Sequence, residues 1–381
     1  MNIIYFDNSA TTQIKTEVLN EMMPYLTIQY GNPSSLYSIG RKSKKAIEEA
    51  RKRVATLINC NQSEIYFTSS GSESDNMAIK GFAYANKEKG NHIITSKIEH
   101  SAILETCKTL EKQGFEVSYI NVDENGIIDI QELIENIKPS TILISMMTAN
   151  NEIGTIQPIE EIAQIAHNNH ITFHTDAVQA IGNMKINVQK MGIDMLSLSG
   201  HKINAPKGIG VLYVKKGINC ERIIDGGHQE KNKRAGTENV ASIVGIGKAC
   251  EIADINMDKH MKYLTKLRDY YLKRLNDEMP NKFRINGTMK NRLPGNANVS
   301  FEGINSTELI FKLDEKGICV SSGSACSSGN AVPSHVLTAI NVPEKYINSA
   351  IRTTFGDNNT FEQIDFLIRN IKTQVCKRAQ E

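Results

Sequence analysis

The chain has 381 residues, of which 40% are hydrophobic and 23% charged, a composition that suits a globular protein with room for two domains or one large domain and a satellite. Its net charge of +2 excludes the broad basic field of a nucleic-acid binder, and no apolar run approaches the ~20 residues needed to cross a bilayer. Met1–Asp7 lacks the basic start and long apolar stretch of a signal peptide, so a cytoplasmic location is expected. Cysteines stand at 60, 107, 220, 250, 319, 326 and 376, an odd and irregular set without a Cys-x-x-Cys pair, which argues against a disulfide framework or structural zinc.

From about residue 45 to 250, short β-rich runs alternate with amphipathic stretches. Strands are expected at 64–68, 91–95, 116–121, 141–147, 170–175, 194–199 and 210–214, with helices such as 41–58, 72–87, 130–137 and 158–168 between them. This alternation predicts a mostly parallel sheet covered by helices, with ligands bound beyond the carboxyl ends of its strands. The polar, glycine-bearing stretch 225–239 reads as an exposed loop or a subunit contact. After a long helix over roughly 241–276 the pattern changes. Strands at 283–286, 297–301 and 318–322 and helices near 306–316, 334–340 and 361–374 indicate a smaller α+β unit.

The chemistry-bearing residues cluster just past predicted strands. Lys202 closes Leu196-Ser197-Leu198-Ser199-Gly200-His201-Lys202, and Asp176 closes a second strand phrase about 25 residues upstream, Ile171 to Gln179. A lysine amine and a carboxylate at the tips of nearby strands are the two groups that a pyridoxal-phosphate site needs: one for a Schiff base, the other to keep the pyridine nitrogen protonated. Thr68-Ser69-Ser70-Gly71-Ser72 turns from strand to helix and reads either as a phosphate cup or as an ordinary capped helix. Asp176 alone is equally a helix cap, Gln179 faces the same ligand or solvent, and His100 is either an acid–base group stacked on a flat ring or a capping residue. Asn151 lies in a turn, and Arg352 is either a carboxylate fork or a structural arginine. Cys326 differs from a core cysteine, because the run Ser321–Asn330 around it is almost wholly Gly, Ser, Ala and Asn; a thiol in such a loop is available as a nucleophile.

Taken in order, these phrases resemble the cysteine desulfurases of the nitrogenase and iron–sulfur-assembly types, pyridoxal-phosphate enzymes of the class V aminotransferase family. The likeness runs nearly end to end: Tyr5–Thr12, Tyr30–Ser35, Gly71–Asn76, Glu99-His100, Asn150–Gly154, His174–Gln179, Ser199–Lys202, Arg234–Asn239 and Ser321–Ser328. It implies the aspartate-aminotransferase-like fold of type I pyridoxal-phosphate-dependent transferases. In that fold, 13–255 would form a large α/β domain with a mostly parallel seven-stranded sheet. Residues 1–12 and 256–381 would form a small α+β domain carrying a cysteine loop at about 321–333.

The resemblance also implies roles. Lys202 would hold the cofactor, Asp176 would pair with the ring nitrogen, and Gln179 with Asn151 would bond the phenolic oxygen, while His100 would stack on the ring and move protons. Gly71, Ser72, Ser199 and His201 would hold the phosphate, joined by Thr237 from the partner subunit of a homodimer. Arg352 and Asn32 would bind the carboxylate of L-cysteine. Cys326 would take its sulfur as a persulfide for iron–sulfur scaffold or tRNA-thiolation proteins, and would be a candidate ligand to a nascent iron–sulfur cluster shared with a scaffold. Ser72 stands where relatives often have threonine, and Asn204-Ala205 replaces a bulkier pair. Selenocysteine lyase and a non-catalytic scaffold of the same fold are the alternative readings.

Overall fold

The computed structural model describes residues 3–322 and 333–378. Twelve strands are present among them: β1 (Ile4–Tyr5), β2 (Ile65–Thr68), β3 (His92–Ser96), β4 (Glu116–Ile120), β5 (Thr141–Ser145), β6 (Thr172–Asp176), β7 (Met195–Ser199), β8 (Gly210–Val214), β9 (Phe283–Ile285), β10 (Asn296–Phe301), β11 (Ile318–Cys319) and β12 (Ala350–Thr354). The seven strands expected between residues 64 and 214 form one sheet in the order β2-β8-β7-β6-β5-β3-β4. Strands β4, β3, β5, β6 and β7 run parallel, while β8 is antiparallel to both of its neighbours. Strands β3, β5, β7 and β8 are buried along their whole length, as helices on both faces of a parallel sheet require.

A second sheet of three antiparallel strands, β12-β10-β9, comes from the C-terminal part of the chain, and the N-terminal β1 pairs in parallel with β11. The helix Val240–Glu278 joins the two regions. Ala241, Ile246 and Cys250 near its start belong to the core of the large sheet, while Leu264, Leu267, Tyr271 and Leu275 belong to the core around β10 and β12. Sequence reading did not single out the helix Thr16–Thr27, which contains Pro24, nor Ser101–Glu111. The expected helix 72–87 is one continuous run, Gly71–Asn76 and Phe82–Ala85 separated by a π-turn at Met77–Gly81. At that widened turn Gly81 meets the carbonyl of Glu221, where any Cβ would lie 2.4 Å from the oxygen. The strand expected at 318–322 ends at Cys319, and Ser321 instead pairs in an isolated bridge with Arg352.

The central strands carry the stability of the large sheet. Ile144 on β5 is completely buried, whereas Phe311 on the helix Ser306–Asp314 is 65% exposed. Ile144→Ala should therefore cost about 2–5 kcal/mol in urea unfolding, and Phe311→Ala should stay within about 0.5 kcal/mol of the parent.

Candidate active site

The carboxyl ends of β6 and β7, neighbours near the middle of the sheet, bring the first set of residues together. Asp176 is the last residue of β6 and is buried; its Oδ1 accepts the Val178 N–H at 2.8 Å. After β7, residues Gly200–Lys202 form a 3₁₀ turn, so Lys202 stands three residues beyond the strand instead of at its tip. Its Nζ donates to the carbonyls of Ser9 and Ala10, the latter at 2.9 Å. Gln179 Nε2 donates to the same Ser9 carbonyl at 2.9 Å. The N-terminal stretch that precedes the large sheet therefore closes over both residues.

The phosphate-cup phrase lies beside them. Ser70 caps the helix that starts at Gly71, its Oγ accepting the Glu73 N–H at 3.1 Å and its carbonyl the Ser74 N–H. Ser70 is thus occupied as a cap, while no acceptor within the described residues takes the N–H groups of Gly71 and Ser72. A Cβ at Gly71 would lie 2.8 Å from Val178 Cγ2 and 3.3 Å from Ser199 Cβ. The helix start, the turn after Asp176 and the end of β7 therefore converge. Glycine is required where they meet. Ser199 is buried and Ser72 exposed. His201 Nδ1 is bonded to Thr11 Oγ1 at 3.2 Å.

His100 is the N-cap of the helix Ser101–Glu111, with Nδ1 accepting the Ala102 N–H at 3.1 Å. The capping reading is correct, and it has a chemical consequence. With Nδ1 committed as an acceptor, a neutral ring carries its proton on Nε2. Burial lowers the pKa of His100, Asp176 works to raise it, and Lys202 and His335 press it down. Burial pushes the Asp176 carboxyl up, opposed by His100, the Val178 N–H and Lys202. Asp176, His100 and Lys202 thus act on one another as one electrostatic cluster. His201 is pushed down to about 4 by burial and by Lys202 and Lys207, so it is neutral near pH 7.

Arg352, on β12, is 3% exposed. Its Nη2 donates to Asp7 Oδ1 at 2.8 Å and its Nη1 to the Asn151 carbonyl at 3.2 Å, while its buried Nε has no partner among the described residues. Asn151 thus reaches Arg352 through its backbone. Asn32 is exposed and its Oδ1 accepts the Ser34 N–H at 2.9 Å, so the described contacts do not join it to Arg352. Thr237 is exposed on the loop before the long helix. Cys326 lies outside the described residues. Ser334 donates to the buried Glu152 carboxylate at 2.5 Å. Among the described residues, no group of three or more His, Cys, Asp or Glu is disposed to hold a metal ion, and no helix is long and apolar enough to cross a membrane.

Sequence reading missed the acids behind the site. Asp75, on the first turns after the cup, is 1% exposed and stands 3.9 Å from His174 Nε2, whose ring bonds Ser197 Oγ at 3.0 Å and Ser145 Oγ at 2.8 Å. Burial, then the charge of Asp176, raise the Asp75 pKa well above the ordinary carboxylate range. Glu99 is fully buried and accepts from Ser96 Oγ at 2.6 Å and Met147 N–H at 3.0 Å; burial pushes it up to about 8. An acid between a strand and a capping histidine, as in Ile98-Glu99-His100, was the available signal.

The residues present fit a phosphorylated pyridine ring. Among the described residues, open N–H groups begin a helix, a buried carboxylate and a lysine share one electrostatic cluster beside them, and a buried guanidinium keeps an unpartnered N–H.

The class-V aminotransferase family profile matches residues 4–367. The cysteine desulfurase IscS of Methanosarcina thermophila is 52% identical over 374 residues, covering 98% of this chain and 92% of its own. Among solved structures, a NifS-like protein superposes with a TM-score of 0.93 at 36% identity, covering 98% of this chain and 100% of that one. SspA in complex with cysteine gives 0.82 at 38% identity, over 93% and 99% of the two chains. The chain belongs to the class-V aminotransferase family, and its fold is that of the type I transferases anticipated above.

A pH effect follows from Glu99. Its pKa is raised from 4.5 to about 8 in the folded protein, so the folded state retains a proton that the unfolded chain releases. The resulting stabilisation is complete below about pH 4.5 and is lost as pH rises towards about 8. Glu99→Gln should remove this slope: denaturant titrations of parent and variant should diverge steadily across the window, the parent losing stability faster.

Proposed function

We propose that this member of the family is a cysteine desulfurase: it takes sulfur from L-cysteine, releases L-alanine and holds the sulfur as a persulfide on Cys326. The observation that carries the reading is the convergence of Lys202, Asp176, His100 and the Gly71 helix start at the ends of β6 and β7. Full-length similarity to a named cysteine desulfurase supports it.

Pyridoxal phosphate, when bound, would supply the electron sink for a negative charge developing on the amino acid's α-carbon. The Gly71 and Ser72 N–H groups, with Ser199 and His201, would hold its phosphate, Asp176 its ring nitrogen, and Gln179 with Asn151 its phenolic oxygen. Lys202, released from its carbonyl partners, would anchor the cofactor and then carry the α-proton. His100 holds a proton at Nε2 for transfer. Arg352, fixed by Asp7 and the Asn151 carbonyl, directs its guanidinium at the substrate carboxylate, with Asn32 assisting. The Cys326 thiolate attacks the substrate sulfur. The carbon–sulfur bond breaks, its electron pair stays on carbon, and that carbon takes a proton to give alanine.

The same reading assigns 13–255 to a large domain and 1–12 with 256–381 to a small one. It makes the protein a homodimer in which Thr237 completes the partner's phosphate site. The exposed apolar side chains Leu26, Ile28, Tyr30, Leu36 and Tyr37, flanking Asn32, support such a contact. The acceptors of the persulfide would be iron–sulfur scaffold or tRNA-thiolation proteins.

The test is direct. Purified protein with pyridoxal phosphate should convert cysteine to alanine, and Lys202→Ala should abolish this, a loss of at least about 10³-fold. Cys326→Ser should retain the cofactor's absorbance and lose the persulfide detected by mass spectrometry. Protein that never takes up the cofactor, or a serine variant that releases sulfide at the parent rate, would refute the assignment.

A further inference from the structure

The loop following β8 carries three consecutive non-glycine residues in the left-handed region, Glu230, Lys231 and Asn232, with φ of 42°, 57° and 66°. Such backbone persists only where its surroundings over-determine it. Here the buried Glu230 carboxylate accepts from Arg51 Nη1 and Nη2 at 2.8 and 2.7 Å and from the Phe67 N–H at 2.8 Å, and Lys231 Nζ donates to the Ser63 carbonyl at 2.7 Å. These contacts fasten the loop to β2, the strand that leads into the Ser69–Ser70–Gly71 turn.

Four residues beyond Glu230, Arg234 meets that turn. Its Nε donates to Glu73 Oε1 at 2.9 Å and its Nη2 to Oε2 at 3.4 Å. Glu73 Oε2 also accepts the Ser69 N–H at 2.8 Å and the Ser69 hydroxyl. A carboxylate is therefore pinned to the turn whose next two residues offer the open N–H groups. Burial pushes the Glu73 pKa up, but the bonds from Arg234 and Ser69 outweigh it and leave the group below its ordinary value.

This arrangement carries a conflict of charge. The helix start attracts a phosphate, whereas an anion on the same turn repels it, and at an effective dielectric near 20 that repulsion acts over several ångströms. We propose that Arg234 is the charge-balancing residue of the phosphate cup: by neutralising Glu73 it sets the affinity for phosphorylated ligands. Arg234 is a positioning residue in this account. The strained, Arg51-anchored loop serves to hold it in place. The inference rests on the pyridoxal-phosphate reading and deepens it.

The test is titration of the full chain with pyridoxal phosphate and, separately, with pyridoxal, which lacks the phosphate, following ring absorbance. Arg234→Ala should raise the dissociation constant for pyridoxal phosphate about tenfold or more and that for pyridoxal less than about twofold. Adding Glu73→Gln to the same chain should restore tight binding of pyridoxal phosphate, because the repelling charge is then gone. If Arg234→Ala is too unstable to titrate, Glu73→Gln alone decides: it should bind pyridoxal phosphate at least as tightly as the parent. An unchanged constant in Arg234→Ala, equal weakening for both ligands, or weaker binding in Glu73→Gln would overturn the proposal. If the parent chain binds neither ligand, the cofactor reading itself fails, a result distinct from all of these.

Discussion

Asp176 ends a strand near the middle of a seven-stranded sheet, where water is excluded and a carboxylate is costly. Burial drives it towards its neutral form; the Val178 N–H, His100 and Lys202 draw it back towards the anion. Its neighbours behave as this balance demands. Asp75 and Glu99, equally deep, are both pushed up by burial, Glu99 to about 8. Each leaves one oxygen without a partner among the described residues, which is tolerable for a neutral acid and far less so for an anion. His174, forced down to about 3 by burial, is neutral, as is His201. Among Asp75, Glu99 and Asp176, only Asp176 has cationic neighbours to support an anion.

The N-terminal stretch brings the two halves of the site to that charge. It enters through β1, paired with β11 beside the small sheet, and crosses to the large one. Asp7 reaches Arg352, the Ser9 and Ala10 carbonyls hold Lys202, Ser9 also takes Gln179, and Thr12 bonds the His201 carbonyl at 2.8 Å. Four residues within six positions thus touch both the groups assigned to the cofactor and the group assigned to the substrate. The Tyr5 hydroxyl, donating to the Thr11 carbonyl at 3.1 Å, fixes the bend between them. A shift in this strap would change the separation of Arg352 and Lys202, so the strap couples how the two ends of a substrate are held.

Much of this was legible because it is local. The alternation of apolar runs and amphipathic stretches specifies a parallel sheet, and Gly71, Asp176 and Lys202 follow strands whose ends must meet the ligand. Less legible were features that depend on which faces meet. Asp75 sits between Ser74 and Asn76 and reads as a solvent-facing residue; only the docking of its helix on β7 and β8 buries it. Asp7 and Arg352 are far apart in the chain and meet only because Asp7 bridges to Thr354, two residues from Arg352 on β12. Lys202 was expected at a strand tip and stands in a 3₁₀ turn, because Gly200 packs against Ile209 and the chain must fold back at once into β8.

The charge ledger also explains why so many ionisable groups gather where few can ionise. A site that receives a phosphate dianion and an amino acid must answer charges that arrive with the ligands. Neutral histidines, and acids that burial pushes towards their neutral form, add little field of their own, so the incoming groups meet mainly Lys202, Arg352, Asp176 and the helix start at Gly71. The cationic partners are committed inside the protein in advance, Arg352 to Asp7 and Lys202 to backbone carbonyls. Because the guanidinium offers five N–H donors in a rigid fork, Arg352 can keep Asp7 and still present an edge to a carboxylate. A lysine at the same position, with one compact ammonium, would have to choose between them.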